Sequence, residues 1–184
     1  MARPRRPQIA GGIYHVTSRG VRRLPIFHND RDREYFLKLL ADVAARYGWI
    51  VHAYCLMGNH FHLLVETPEP NISKGMERLN GIYARRFNWR HGFKGHLFEA
   101  RFHHVLIESD WHLLAVAGYI PLNPVRAGFV PHPRLWRWSS YRAAVALAAR
   151  PAFLGVERLL ELFHDDHRKA AATFRAFVEG ALPP

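Results

Sequence analysis

The amino-acid sequence predicts an α+β fold: a four-stranded sheet of ferredoxin-like order with both helices on one face, an additional helix after the last strand, and a helical C-terminal extension. Three observations carry this. Short β-branched and aromatic runs alternate with stretches of helical apolar spacing. Their order is strand, helix, strand, strand, helix, strand, the split βαβ pattern. The two middle strands are separated only by Gly58-Asn59, a tight-turn signal.

Residues 12–18 are rich in β-branched and aromatic side chains and suit a first strand. Asn29 or Asp30 then caps a helix whose apolar positions are Tyr35, Phe36, Leu39, Leu40, Val43 and Tyr47, with Gly48 as its stop. Residues 49–57 and 60–67 read as the hairpin strands, closed by Pro68 and Pro70. Asn71 or Ser73 starts a second helix carrying Met76, Leu79, Ile82, Tyr83 and Phe87 on one side and ending by Gly92. Residues 102–107 are the fourth strand, and Ser109 or Asp110 caps a third helix running towards Asn123. Gly118 and Pro121 lie inside that helix, and a proline there removes a backbone donor, so a kink or an early end is expected. Beyond Val130 a Pro- and Trp-rich loop leads to helices over 139–149 and roughly 156–179. The division that follows is a main domain over 1–130 with 131–184 packed on it.

The 184 residues carry 26 Lys and Arg against 15 acids, a net charge of +11, nearly all of it arginine. Such a surplus points first to nucleic acid and second to an acidic membrane surface. No apolar run approaches the roughly 18 residues of a membrane span. The basic start, residues 1–7, is followed by no signal-peptide core, so a cytoplasmic chain is expected. One cysteine, Cys55, excludes an internal disulfide and reads as a small buried residue.

On the third strand, alternation sends Phe61, Leu63 and Val65 to the helix-covered core and His60 and His62 to the open face. Two imidazoles two apart on one strand can grip one divalent metal, or they are ordinary polar strand residues. Tyr119 and Asn123 share a helix face one turn apart and could converge on the same point. Tyr119 is then either a phenolic nucleophile or a core aromatic. Tyr83, in a basic aromatic helix, is the rival nucleophile. His103 and His104 are adjacent on a strand and face opposite sides. His164 and His167 read as exposed helix polarity. Arg22 and Arg23 after the first strand, and Arg85, Arg86, Arg90, Lys94 and Arg101 around the second helix, interleave with Phe87, Trp89, Phe93 and Phe98, a pattern suited to phosphates and unpaired bases.

The segments Gly58-Asn59-His60-Phe61-His62-Leu63-Leu64 and Tyr119-Ile120-Pro121-Leu122-Asn123-Pro124-Val125-Arg126-Ala127-Gly128 resemble the single-tyrosine transposases of the IS200 type, most closely the branch associated with repetitive extragenic palindromes. Tyr14-His15-Val16-Thr17-Ser18-Arg19-Gly20 and Leu97-Phe98-Glu99-Ala100-Arg101-Phe102 match in the same order, and Trp136-Arg137-Trp138-Ser139-Ser140-Tyr141 resembles the closing segment. The resemblance implies a His-hydrophobic-His nuclease with His60 and His62 as metal ligands, Tyr119 as nucleophile and Asn123 at a third polar position that is Gln in some relatives. It implies Mg²⁺ or Mn²⁺, single-stranded or hairpin DNA as partner, and a covalent 5′-phosphotyrosine intermediate. Relatives occur as monomers and as swapped homodimers. A non-catalytic hairpin DNA- or RNA-binding protein and a water-using metal hydrolase are the competing classes; neither requires Tyr119.

Overall fold

The computed structural model describes residues 8–182; the basic start, residues 1–7, lies outside them. The elements are β1 (Gly12–Arg19), α1 (Asp30–Tyr47), β2 (Ile50–Leu56), β3 (His60–Thr67), α2 (Ile72–His91), β4 (His103–Leu106), α3 (Asp110–Arg126), α4 (Tyr141–Ala144), α5 (Glu157–Glu161) and α6 (His167–Glu179). The four strands form one antiparallel sheet in the order β2-β3-β1-β4, the order a split βαβ pattern requires.

Local chemistry sets the helix ends. Asn29 caps α1 in a reciprocal capping box with Asp32, and Gly48 ends it in the left-handed region at φ 68°. Ser109 caps α3 by accepting from the His112 amide. The core on the α1/α2 side is aromatic: Phe61 is fully buried and packs on Phe36, which meets Tyr83 and Phe27 edge to face. Cys55 is buried beside Met57, and burial pushes its thiol up.

The second face of the sheet departs from the expectation of an open surface. α3 packs against β2 and β3 from that side, and α6 packs on α3. Leu113, Val116, Ala117, Ile120 and Leu122 form a buried stripe on α3, which is why the helix settles on the sheet instead of standing away from it. His62 is therefore only 6% exposed.

α3 also runs unbroken through both prolines to Arg126. Pro124 has no N–H for the Ile120 carbonyl; the Asn123 side-chain amide donates to that oxygen instead (3.3 Å) and to the Tyr119 backbone carbonyl (3.0 Å).

The C-terminal stretch is less helical than its composition suggests. Residues 139–149 contain only the short α4, cut where Ala146 takes φ 57°, and residues 156–179 are split into α5 and α6 by the Asp166 cap. The stretch seals the edge of β2: the Leu56 amide donates to the Trp138 oxygen (2.8 Å), the Trp136 indole donates to the Leu56 oxygen (3.1 Å), and the Gly155 amide donates to the Val51 oxygen (2.9 Å). Trp138 is buried, as a segment lying across the core requires. Among the described residues no helix is long and apolar enough to cross a membrane.

Candidate active site

The strand register assembles the site. In the β1–β3 pair Thr17 lies opposite His62 and Arg19 opposite His60; in the β1–β4 pair Thr17 lies opposite His103. Side chains directly across a ladder share a face, so His15, Thr17, Arg19, His60, His62 and His103 all look away from α1 and α2. α3 lowers Tyr119 onto this face. Its ring stands at 88° to the His62 ring with centroids 5.5 Å apart, and 6.0 Å from the His15 ring. The result is a cleft of ≈ 620 Å³ shared by these residues, with Glu99 and Ala100 on its rim.

The electrostatics suit neutral imidazoles. Burial, with His60, His15 and Arg19 nearby, lowers the His62 pKa to about 3. Burial and Arg19 lower His60 to about 4; burial, with His103 and His112 around it, lowers His15 to about 4. All three are uncharged at neutral pH and keep a lone pair to give. The His62 Nε2 atom is buried and has no hydrogen-bond partner, an unsatisfied polar atom at the centre of the cleft. The His62 Nδ1 atom lies 3.0 Å from His15 Nε2, and His60 Nδ1 lies 2.7 Å from Asn59 Oδ1.

Of the residues singled out in the sequence, His60, His62 and Tyr119 come together in the cleft. Asn123 does not line it, and its amide nitrogen is committed to the backbone of its own helix. Among the described residues no three His, Cys, Asp or Glu side chains form a group that could hold a metal ion. Tyr83 is 1% exposed and donates to the Ile26 oxygen at 2.5 Å; it is a core residue on the other side of the sheet.

The arginines divide between surfaces. Arg22 and Arg23 protrude from the turn after β1, both at positive φ (53° and 59°), a conformation costing about 1 kcal/mol or more for a residue with a Cβ. The Asn59 amide holds that turn through the Arg23 oxygen. Arg85 and Arg86 are exposed on α2, Arg86 over the Tyr35 and Trp89 rings. Lys94 is exposed in the loop that follows, and Arg101 lines a groove between α2 and residues 95–102. Arg90 is already paired with the buried Asp32 at 2.9 Å.

Two residues escaped the sequence reading. His15 could have been found by aligning β1 against β3, because alternation puts it on the face of His62. Arg126 lies seven residues after Tyr119 and so on the same helix face, and its guanidinium carbon sits 5.3 Å from the Tyr119 ring centroid.

The comparisons with known proteins agree with this architecture. A Haemophilus influenzae protein described as a REP-associated tyrosine transposase is 25% identical over 169 residues, covering 82% of this chain and 92% of its own. The solved structure of a REP-associated tyrosine transposase bound to a REP hairpin superposes with a TM-score of 0.67 at 22% identity, covering 84% of this chain and 92% of the other. The model of the family described as IS200-like transposases matches residues 9–123, from the strand bearing His15 to the helix bearing Tyr119, and the chain belongs to that family of DNA-processing enzymes.

Proposed function

We propose that the chain cleaves and rejoins single-stranded, hairpin-associated DNA by transesterification, with Tyr119 as nucleophile and His60 and His62 holding a divalent cation, Mg²⁺ or Mn²⁺. One observation carries this reading: Tyr119 lies over His62 of its own chain, and the buried Nε2 of that histidine has no hydrogen-bond partner. A neutral imidazole nitrogen in that position suits a divalent metal. When bound, the cation supplies a Lewis acid for the scissile phosphate. Asn123, one turn after Tyr119, is the candidate third ligand through Oδ1, the side-chain atom its own helix does not engage, although it does not line the cleft.

The Tyr119 oxygen attacks phosphorus and the P–O3′ bond breaks. The phenolic proton passes to solvent, and the leaving 3′ oxygen takes a proton. The 5′ phosphate stays on Tyr119, and attack by a 3′ hydroxyl reverses the step and joins strands, so no nucleotide cofactor is consumed. Arg19 in the cleft and Arg22 and Arg23 beside it supply cations for the backbone of the strand; Arg85, Arg86, Lys94 and Arg101 extend the basic surface. The similar structure bound to a REP hairpin supports a palindromic hairpin as the partner. The tyrosine over its own histidines supports action in cis, by a monomer or within a homodimer. A DNA substrate supports a cytoplasmic location.

The test is incubation with end-labelled hairpin single strands and Mn²⁺, followed by denaturing gels. A denaturation-resistant protein–DNA adduct is expected with the wild type and none with Tyr119→Phe. Cleavage without any adduct would support a water-using hydrolase, and binding without cleavage on every hairpin would support the non-catalytic module.

A further inference from the structure

We propose that Asn59 and His15 are positioning residues that fix where the ring protons of His60 and His62 sit, so that both histidines present Nε2 to the cation. The inference rests on the metal reading above.

The Asn59 case is closed by hydrogen-bond logic. Its Nδ2 donates to the Arg23 oxygen at 3.0 Å, and a backbone carbonyl only accepts. The amide orientation is thereby fixed, and the atom 2.7 Å from His60 Nδ1 is Oδ1. An amide oxygen also only accepts, so His60 Nδ1 carries the proton and Nε2 carries the lone pair. The Asn59 backbone carbonyl accepts from the Gly20 amide at 2.8 Å, which pins the hairpin turn to the strand end beside it.

His15 does the same for the second histidine. Its Nε2 lies 3.0 Å from His62 Nδ1, with the rings stacked 5.2 Å apart. That contact alone allows the proton on either nitrogen. The other end of the His62 ring decides. Nε2 is buried and unpartnered, so a proton there would be a donor with nothing to receive it. With the proton on Nδ1, the bond to His15 forms and Nε2 is left as a buried lone pair, the group a cation satisfies. Histidine ligands commonly have their second nitrogen held in this manner. His60 and His62 thus receive the same tautomer from two unrelated partners, one from the turn before β3 and one from β1.

The first readout is long-range ¹H–¹⁵N spectra of imidazoles in the full-length chain without metal. Both His60 and His62 are expected as Nδ1–H tautomers. His15→Phe, which keeps a ring on the stack, should shift His62 towards Nε2–H and leave His60 unchanged. Asn59→Leu should do the converse, while Asn59→Asp, which retains an acceptor, should keep His60 as it is. The second readout is Mn²⁺ binding by calorimetry. His15→Phe and Asn59→Leu should bind about 10–100-fold more weakly and Asn59→Asp at least as well as wild type. An Nε2–H tautomer at His62 in the wild type overturns the inference, and that spectrum decides even if a variant does not fold. Wild type that binds Mn²⁺ no better than His15→Phe overturns it as well. Wild type that takes up no Mn²⁺ overturns the metal reading and this inference with it.

Discussion

The guanidinium of Arg126 lies over the ring of Tyr119, with its central carbon 5.3 Å from the ring centroid. The two residues project from the same face of α3, two turns apart, so the proposed nucleophile has a cation beside its ring. In the proposed reaction that cation faces a developing phenoxide or the phosphate it attacks. Arg126→Ala should slow cleavage about tenfold, less than the hundredfold or more typical of enclosed donors because this arginine is exposed. Arg126→Lys should recover part of the rate. Single-turnover cleavage of a labelled hairpin checks both.

Tyr83→Phe separates the two candidate tyrosines. It should leave adduct formation at the wild-type level. It should also destabilise the fold by about 1–3 kcal/mol, because the Ile26 oxygen loses its buried donor. Thermal unfolding reads the second effect and denaturing gels the first. Loss of the adduct without loss of stability would return Tyr83 to the active site.

Arg90 and Arg22 should behave oppositely although both were grouped as DNA-binding arginines. Arg22 is exposed, so Arg22→Ala should weaken hairpin binding and lower the magnitude of the log Kd against log salt slope by about one. Arg90→Ala removes a partner of the buried Asp32, which also accepts from the His28 and Asn29 amides. It should cost about 2 kcal/mol of stability and leave the salt slope nearly unchanged. Binding isotherms at three salt concentrations and a urea melt distinguish the two.

Gly75→Ala tests the packing of α2 on Trp49. A Cβ at Gly75 would fall 2.0 Å from the Trp49 ring, which is buried and tied by its indole N–H to Asn71 at 2.7 Å. The ring cannot swing away without breaking that bond. A loss of about 1–3 kcal/mol is expected, despite alanine's better helix propensity. An unchanged urea midpoint would contradict this.

Much of this molecule is legible in the sequence because it rests on short-range rules. Strand alternation puts Phe61 against Phe36 and sends His60 and His62 to the other face; capping chemistry starts α1 at Asn29 and α3 at Ser109. What was missed depends on how distant elements meet. The apolar stripe of α3 states that the helix is buried, not which sheet face buries it, so the cover over His62 could not be read. The spacing of Asn123 from Tyr119 is legible, but not that its side-chain N–H serves the Ile120 carbonyl, which Pro124 leaves without a donor. The C-terminal helices were drawn too long because the backbone reversal at Ala146 leaves no mark in residue type.

The sheet order carries a consequence for biosynthesis. β1 is central and pairs with β3 and β4, both far along the chain, and the cleft then waits for α3. Such non-local pairing makes for slow folding, because long loops close before any contact rewards them. A chain interrupted after β3 has both histidines and no tyrosine. If the proposed reaction holds, a nascent polypeptide is unable to nick DNA until α3 has been translated, and a chain truncated before α3 is an inert fragment, not an unregulated nuclease.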